Sequence, residues 1–161
     1  MTEPQVILIG GAPGVGKTTL GRALASKLDC ASITIDDLMT VAQTVTTPDS
    51  HPGLHVMRRR PSVEYFTTSS IDELKADATM QHDASWTFVR ELVVKHAVRV
   101  PSPMVIDGWH LRLATVARMD VPHVWSCWIV HRCRSSWRCH FRRRSLTQVD
   151  GTPLPHDQRS V

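Results

Sequence analysis

Gly10-Gly11-Ala12-Pro13-Gly14-Val15-Gly16-Lys17-Thr18-Thr19 lies between an apolar run and a helix-forming one. From Gly11 to Thr18 it meets the phosphate-loop pattern G-x-x-x-x-G-K-[ST] at every constrained position. Ahead of it, Val6-Ile7-Leu8-Ile9 reads as a short buried strand of a parallel sheet. Behind it, residues 19–28 read as a helix with Leu20, Leu24 and Leu28 on one face. A strand, a glycine loop and a helix N-terminus in that order make an anion cradle. Glycines let the backbone curl so that successive N–H groups face phosphate oxygens, and the helix dipole adds positive potential. The expected nucleotide-binding residues are Gly11, Ala12, Pro13, Gly14, Val15, Gly16, Lys17, Thr18 and Thr19. Lys17 is expected to reach the β- and γ-phosphates, and the Thr18 hydroxyl to ligate Mg²⁺.

With 161 residues, the chain has the size of one domain with a sizeable core. Hydrophobic content of 42% and charged content of 21% are those of an ordinary soluble protein. No apolar run approaches the roughly 18 residues of a membrane span. Residues 1–5 lack the features of a secretory leader, so the expected compartment is the cytoplasm, with Cys30, Cys127, Cys133 and Cys139 reduced. The net charge of +4 is unevenly spread. Residues 1–130 carry 12 Lys and Arg against 13 Asp and Glu, whereas residues 131–161 carry 7 against 2. Affinity for nucleic acid, if read from charge, would rest on that tail alone and be non-specific.

Along the chain, residues 31–35 read as a second strand ending on Asp36-Asp37. A Thr-rich stretch, residues 40–47, leads into turn chemistry at 48–53, and Arg58-Arg59-Arg60-Pro61 extends the irregular region. Ser70 with Glu73 forms a capping box that opens a long helix, with Ile71, Leu74, Ala78, Ser85, Val89, Leu92 and Ala97 along one side. Pro101-Ser102-Pro103 ends it. Met104-Val105-Ile106-Asp107-Gly108 reads as a third strand, residues 111–119 as a short helix, and residues 124–130 as a fourth strand. Strands alternating with helices predict an α/β, three-layer fold: a short parallel sheet of about four strands, flanked by helices. Ligands bind such sheets beyond the carboxyl ends of the strands, where Asp36 and Asp107 fall. An acidic residue there can hold Mg²⁺ or accept a proton from an attacking hydroxyl. Either can also cap the next helix. Asp107 follows an apolar strand, which suits a metal or active-site role; of the Asp36-Asp37 pair, Asp36 is the expected functional member, aimed into the cleft, with Asp37 as cap or first-turn anion.

The phosphate loop, Ile33-Thr34-Ile35-Asp36-Asp37-Leu38 and Met104-Val105-Ile106-Asp107-Gly108-Trp109-His110 together resemble the small P-loop kinases. These comprise the nucleoside monophosphate kinase fold and relatives acting on shikimate, gluconate, 2-phosphoglycerate, chloramphenicol or, in zeta toxins, sugar nucleotides. The resemblance covers residues 1 to about 130 and implies the P-loop NTPase fold, ATP and Mg²⁺. It also implies that Asp36 touches the acceptor hydroxyl as a base, and that Arg112 is the closest match to a phosphate-contacting Arg. Lys17, Asp36 and Asp107 are thus the expected catalytic residues, and Thr18 and Asp107 the expected metal ligands. Arg58, Trp109 and His110 are candidate acceptor contacts, each with a plainer alternative: a solvated basic turn, or packing under the loop.

Residues 131–144, HRCRSSWRCHFRRR, contain six Arg and show neither helical nor strand periodicity. The family places an Arg-rich lid here, for which Arg134 and Arg138 are candidates, and then a fifth strand that the sequence does not announce. The chain therefore divides into a kinase-like core, 1–130, and a tail, 131–161. The tail reads either as a lid or as an out-of-frame, aberrant segment. His131, Cys133, Cys139 and His140 match no usual zinc spacing. Three functions follow: transfer of the ATP γ-phosphoryl group to a small-molecule hydroxyl, an NTP-hydrolysing switch, or a nucleotide-binding remnant.

Overall fold

The computed structural model of the chain describes residues 4–99, 102–132 and 136–143. Its frame is one sheet in the order β2-β3-β1-β4-β5. Strand β1 (Val6–Gly11) is central, hydrogen-bonded in parallel to β3 (Met104–Asp107) on one side and β4 (Val124–Arg132) on the other. Strand β2 (Ala31–Thr34) adds in parallel to β3, with Thr34 opposite Asp107. These four strands are the expected parallel sheet. Successive side chains of β1 point to opposite faces, and both faces are covered. Val6 and Leu8 join Ile35, Met39, Val89, Val93, Ile106 and Val116 on one side. Ile7 and Ile9 join Val15, Ala25, Val105, Cys127 and Ile129 on the other. A strand buried twice over needs an unbroken apolar run, which Val6-Ile7-Leu8-Ile9 supplies.

The tail departs from the expectation. Residues 136–143 form β5 (Ser136–Arg143), antiparallel to β4 with Arg132 opposite Ser136 and Trp125 opposite Arg143. A fifth strand therefore does follow the fourth, and the sheet has an antiparallel edge. The Arg-rich composition hid it, because edge strands tolerate charge and need no apolar alternation.

Helix α1 (Lys17–Leu28) buries Lys17, Gly21 and Ala25, not the leucine stripe; Leu20 is 37% and Leu28 48% exposed. Close approach decides this. A Cβ on Gly21 would stand 3.3 Å from Asp107 Oδ2 and 3.6 Å from Val105 Cγ1, so the small residues face the sheet. Leu24 and Leu28 instead border an apolar hollow with Ile7 and Trp125.

The second strand stops one residue earlier than expected. Thr34 caps helix α2 (Ile35–Val45), its hydroxyl accepting the Asp36 N–H at 3.4 Å, and Asp36 and Asp37 occupy the first turn. The Thr-rich segment continues the helix because its hydroxyls bond back along it: Thr40 to the Asp36 carbonyl at 3.0 Å and Thr44 to the Thr40 carbonyl at 2.8 Å. The region from 52 to 68 is also more regular than its turn residues suggest. It holds α3 (Pro52–His55), a 3₁₀ turn (Val56–Arg58) and α4 (Ser62–Thr68), anchored by buried Leu54, Val56 and Tyr65.

Helix α5 (Ile71–Val94) begins at the expected cap, with the Glu73 N–H bonded to Ser70 Oγ at 3.1 Å. It buries Gln81, Ser85, Val89 and Val93, while Ile71 at its start is 70% exposed. It closes in a π-helical turn, Lys95–Arg99. The short helix α6 (Leu113–Arg118) precedes β4 as expected. No helix among the described residues is long and apolar enough to cross a membrane.

One contact ties α2 to the end of β3. A Cβ on Gly108 would lie 2.8 Å from Ile35 Cβ. Gly108→Ala is therefore expected to lower stability by about 1–3 kcal/mol, read as a lower urea midpoint. An unchanged midpoint would contradict this packing.

Candidate active site

The loop after β1 turns on residues with positive φ: Gly11 at 142°, Gly14 at 76° and Gly16 at 88°. At Gly14 and Gly16 nothing crowds a Cβ, so backbone conformation alone calls for glycine there. Gly16 is the N-cap of α1 and offers no side-chain cap to that helix, whose first N–H groups face the loop. Lys17 Nζ donates to the Ala12 carbonyl at 2.8 Å, spanning the loop it would serve. Burial pulls the Lys17 pKa down, while the carboxylates of Asp36 and Asp107 push it back up. One ammonium thus sits within the field of both acidic candidates.

Asp107 ends β3 at 1% exposure. Its Oδ1 accepts the Thr18 hydroxyl at 2.8 Å, and its Oδ2 is buried with no hydrogen-bond partner. Burial raises the Asp107 pKa, opposed by the Thr18 bond and by Lys17. An orphaned carboxylate oxygen beside a hydroxyl is a hard-oxygen donor set, and it fits Mg²⁺, which takes few protein ligands and completes its shell with water and phosphate. Thr18 and Asp107 are the residues that would hold it. Among the described residues, no group of three or more His, Cys, Asp or Glu side chains could hold a metal.

Beyond Asp107, the Gly108 N–H bonds to the Ile9 carbonyl at 3.1 Å and the chain turns back toward α5. The turn presents Trp109 and His110, whose rings pack 4.2 Å apart between centroids at a tilt of 41°. His82 of α5 completes the cluster, 4.6 Å from Trp109 and edge-on to His110 at 5.6 Å. His110 Nδ1 lies 3.7 Å from Asp36 Oδ1, joining the cluster to the first turn of α2. Arg112 Nη1 stands 3.6 Å from Asp83 Oδ1, next along α5.

The expected residues thus separate. Lys17, Thr18, Asp36, Asp107 and His110 converge, with Trp109 packed on His110. Arg58 is exposed on the 3₁₀ turn. Its neighbour Arg60 is a structural clamp, pairing with Glu73 and Ser69 beside the Tyr65 ring. His51 and His55 bond locally, to Ser50 and Thr46. Arg138 lies on β5 in register with Val130, and Arg134 falls outside the described residues. His82 escaped sequence reading because it sits mid-helix. Its only signal was polarity beside Gln81 and Ser85 on a face that should be apolar.

Burial pushes the pKa of His82 down to about 4 and that of His110 to about 3. The unfolded chain takes up these protons near pH 6.5 and the folded chain does not. Their contribution is therefore full above pH 6.5 and is lost as pH falls toward 4 and below. A few kcal/mol of acid-side destabilisation is expected, and His110→Gln should flatten that limb in denaturant titrations from pH 7 to 4. An identical pH slope in the variant would contradict the burial of His110.

Residues 7–125 match the family described as AAA domain, and the chain belongs to it. Two curated relatives are named 2-phosphoglycerate kinase. The one from Pyrococcus furiosus is 27% identical over 143 residues, covering 88% of this chain and 47% of the relative. The one from Pyrococcus horikoshii is 29% identical over 112 residues, covering 69% of this chain and 37% of the relative. The chain thus spans less than half the length of these relatives. No solved structure matches it significantly. The likeness to small P-loop kinases read from the motifs holds.

Proposed function

We propose that the chain transfers the γ-phosphoryl group of ATP, bound with Mg²⁺, to a hydroxyl of a small molecule. The observation that carries this is the convergence of Lys17, Thr18, Asp36 and Asp107 at the carboxyl ends of β1, β2 and β3. The glycine loop and the α1 N-terminus hold the α- and β-phosphates, and Lys17 neutralises the β,γ bridge. Thr18 and Asp107 would hold Mg²⁺, which when bound would supply charge neutralisation at the phosphates. Asp36 orients the acceptor hydroxyl and takes its proton. The O–H bond breaks, a bond forms from that oxygen to the γ-phosphorus, and the bond to the β,γ-bridging oxygen breaks with its electron pair leaving on ADP.

Arg112, near His82 and paired with Asp83, would receive an anionic part of the acceptor once it leaves Asp83. The compound in the relatives' names, 2-phosphoglycerate, has one free hydroxyl plus a carboxylate and a phosphate, and is the first acceptor to try. Arg134 and Arg138, the lid candidates after β4, supply positive charge to the phosphoryl group in transfer, and the reaction belongs to the cytoplasm. Phosphorus NMR of protein, ATP, Mg²⁺ and 2-phosphoglycerate is expected to show a new phosphomonoester appearing with ADP. Inorganic phosphate in its place would point to a hydrolase.

A further inference from the structure

The acceptor side of the site holds buried polarity that the transfer step above leaves unused. Both ring nitrogens of His110 and both of His82 are buried without a hydrogen-bond partner, and His110 is only 5% exposed. Packing against Trp109 and the edge of His82 fixes the His110 ring, yet a phenyl ring would pack as well. Unpaired buried nitrogens destabilise the fold, so the imidazole is explained by something that enters the site. The Asp36 Oδ1 to His110 Nδ1 separation of 3.7 Å is too long for a direct hydrogen bond. It suits one oxygen lying about 2.8 Å from each atom.

We infer that His110 is a second anchor for the acceptor's reacting hydroxyl, and that the Asp36–His110 pair reserves the site for an alcohol rather than a phosphate or carboxylate. The inference rests on the role of Asp36 proposed above. The alcohol proton points to Asp36, and the Nδ1–H of His110 donates to the same oxygen, leaving its remaining lone pair for the γ-phosphorus. His82 and Trp109 are positioning residues that hold the ring. An anionic acceptor oxygen has no proton for Asp36 and is repelled by its carboxylate. To welcome it, His110 would have to carry a proton on both ring nitrogens, which its burial disfavours. Charge elsewhere on the acceptor remains acceptable, toward Arg112.

The test compares alcohol probes (2-phosphoglycerate and glycerol) with methyl phosphate and acetate, following transfer by phosphorus NMR and ADP release. Transfer is expected to an alcohol and to neither anion. His110→Phe, which keeps the ring packing and removes the nitrogens, should lower kcat/KM for the alcohol by roughly 10² while KM for ATP stays within a few-fold. His110→Asn sets an amide nitrogen near the Nδ1 position and should retain activity within about tenfold, whereas His110→Gln, reaching toward the Nε2 position, should not. That contrast decides the matter if the Phe variant does not fold. Preference for methyl phosphate or acetate, an unchanged kcat/KM in His110→Phe, or Gln outperforming Asn would overturn the inference and leave the kinase reading standing. If no probe is phosphorylated, both fall.

Discussion

Lys17→Ala is expected to abolish phosphoryl transfer, with kcat reduced by roughly 10³ or more, and to weaken ATP binding at least about tenfold. The side chain is 8% exposed, spans the glycine loop to the Ala12 carbonyl and lies in the field of Asp36 and Asp107. Its removal takes away the ammonium that stands in the field of Asp36 and Asp107 where the triphosphate binds. Charge that develops on the β,γ-bridging oxygen would then go unneutralised in a poorly solvated pocket, where each such interaction counts for more than in water. Calorimetric titration with a non-hydrolysable ATP analogue separates the binding loss from the rate loss. Wild-type turnover in Lys17→Ala would remove the phosphate loop from the chemistry.

Asp36→Asn is the second large effect. Turnover should fall by roughly 10² or more while affinity for ATP changes only a few-fold, because the carboxylate acts on the acceptor and not on the nucleotide. The fold should survive: Thr34, not Asp36, caps α2, and Asn is acceptable in the first turn. Equal activity in variant and wild type would move the base to Asp37 or Asp107. A loss of ATP affinity as large as the loss of rate would instead place Asp36 on the nucleotide side.

The parts of the site that were legible in the sequence are those whose chemistry is local. The glycine spacing before Lys17-Thr18 requires backbone angles open to glycine and few other residues, so one segment carries its whole meaning. Asp107 was legible because an apolar strand ending in Asp states both its burial and its position. What failed was what depends on neighbours in space. The leucine periodicity of α1 marked only the rim of the face that packs: Leu24 reaches the core, Leu20 and Leu28 stay exposed, and Gly21 admits Asp107 and Val105 more closely than any leucine could. Threonines in α2 resembled a loop until their hydroxyls found carbonyls one turn back. The Arg-rich β5 lacked alternation because an edge strand gains its hydrogen bonds from β4 whatever its side chains. His82 comes from a helix that no acceptor motif marks, and only the fold brings it to Trp109 and His110.

Steady-state ADP release from ATP and Mg²⁺, measured with and without 2-phosphoglycerate and a panel of other hydroxylated acceptors, separates phosphoryl transfer from hydrolysis and from binding alone. The convergence of Lys17, Thr18, Asp36 and Asp107 predicts release that depends on an acceptor, saturates with it and yields one phosphorylated product per ADP. Release at the same rate without any acceptor, or none with every acceptor tried, would contradict a phosphotransferase.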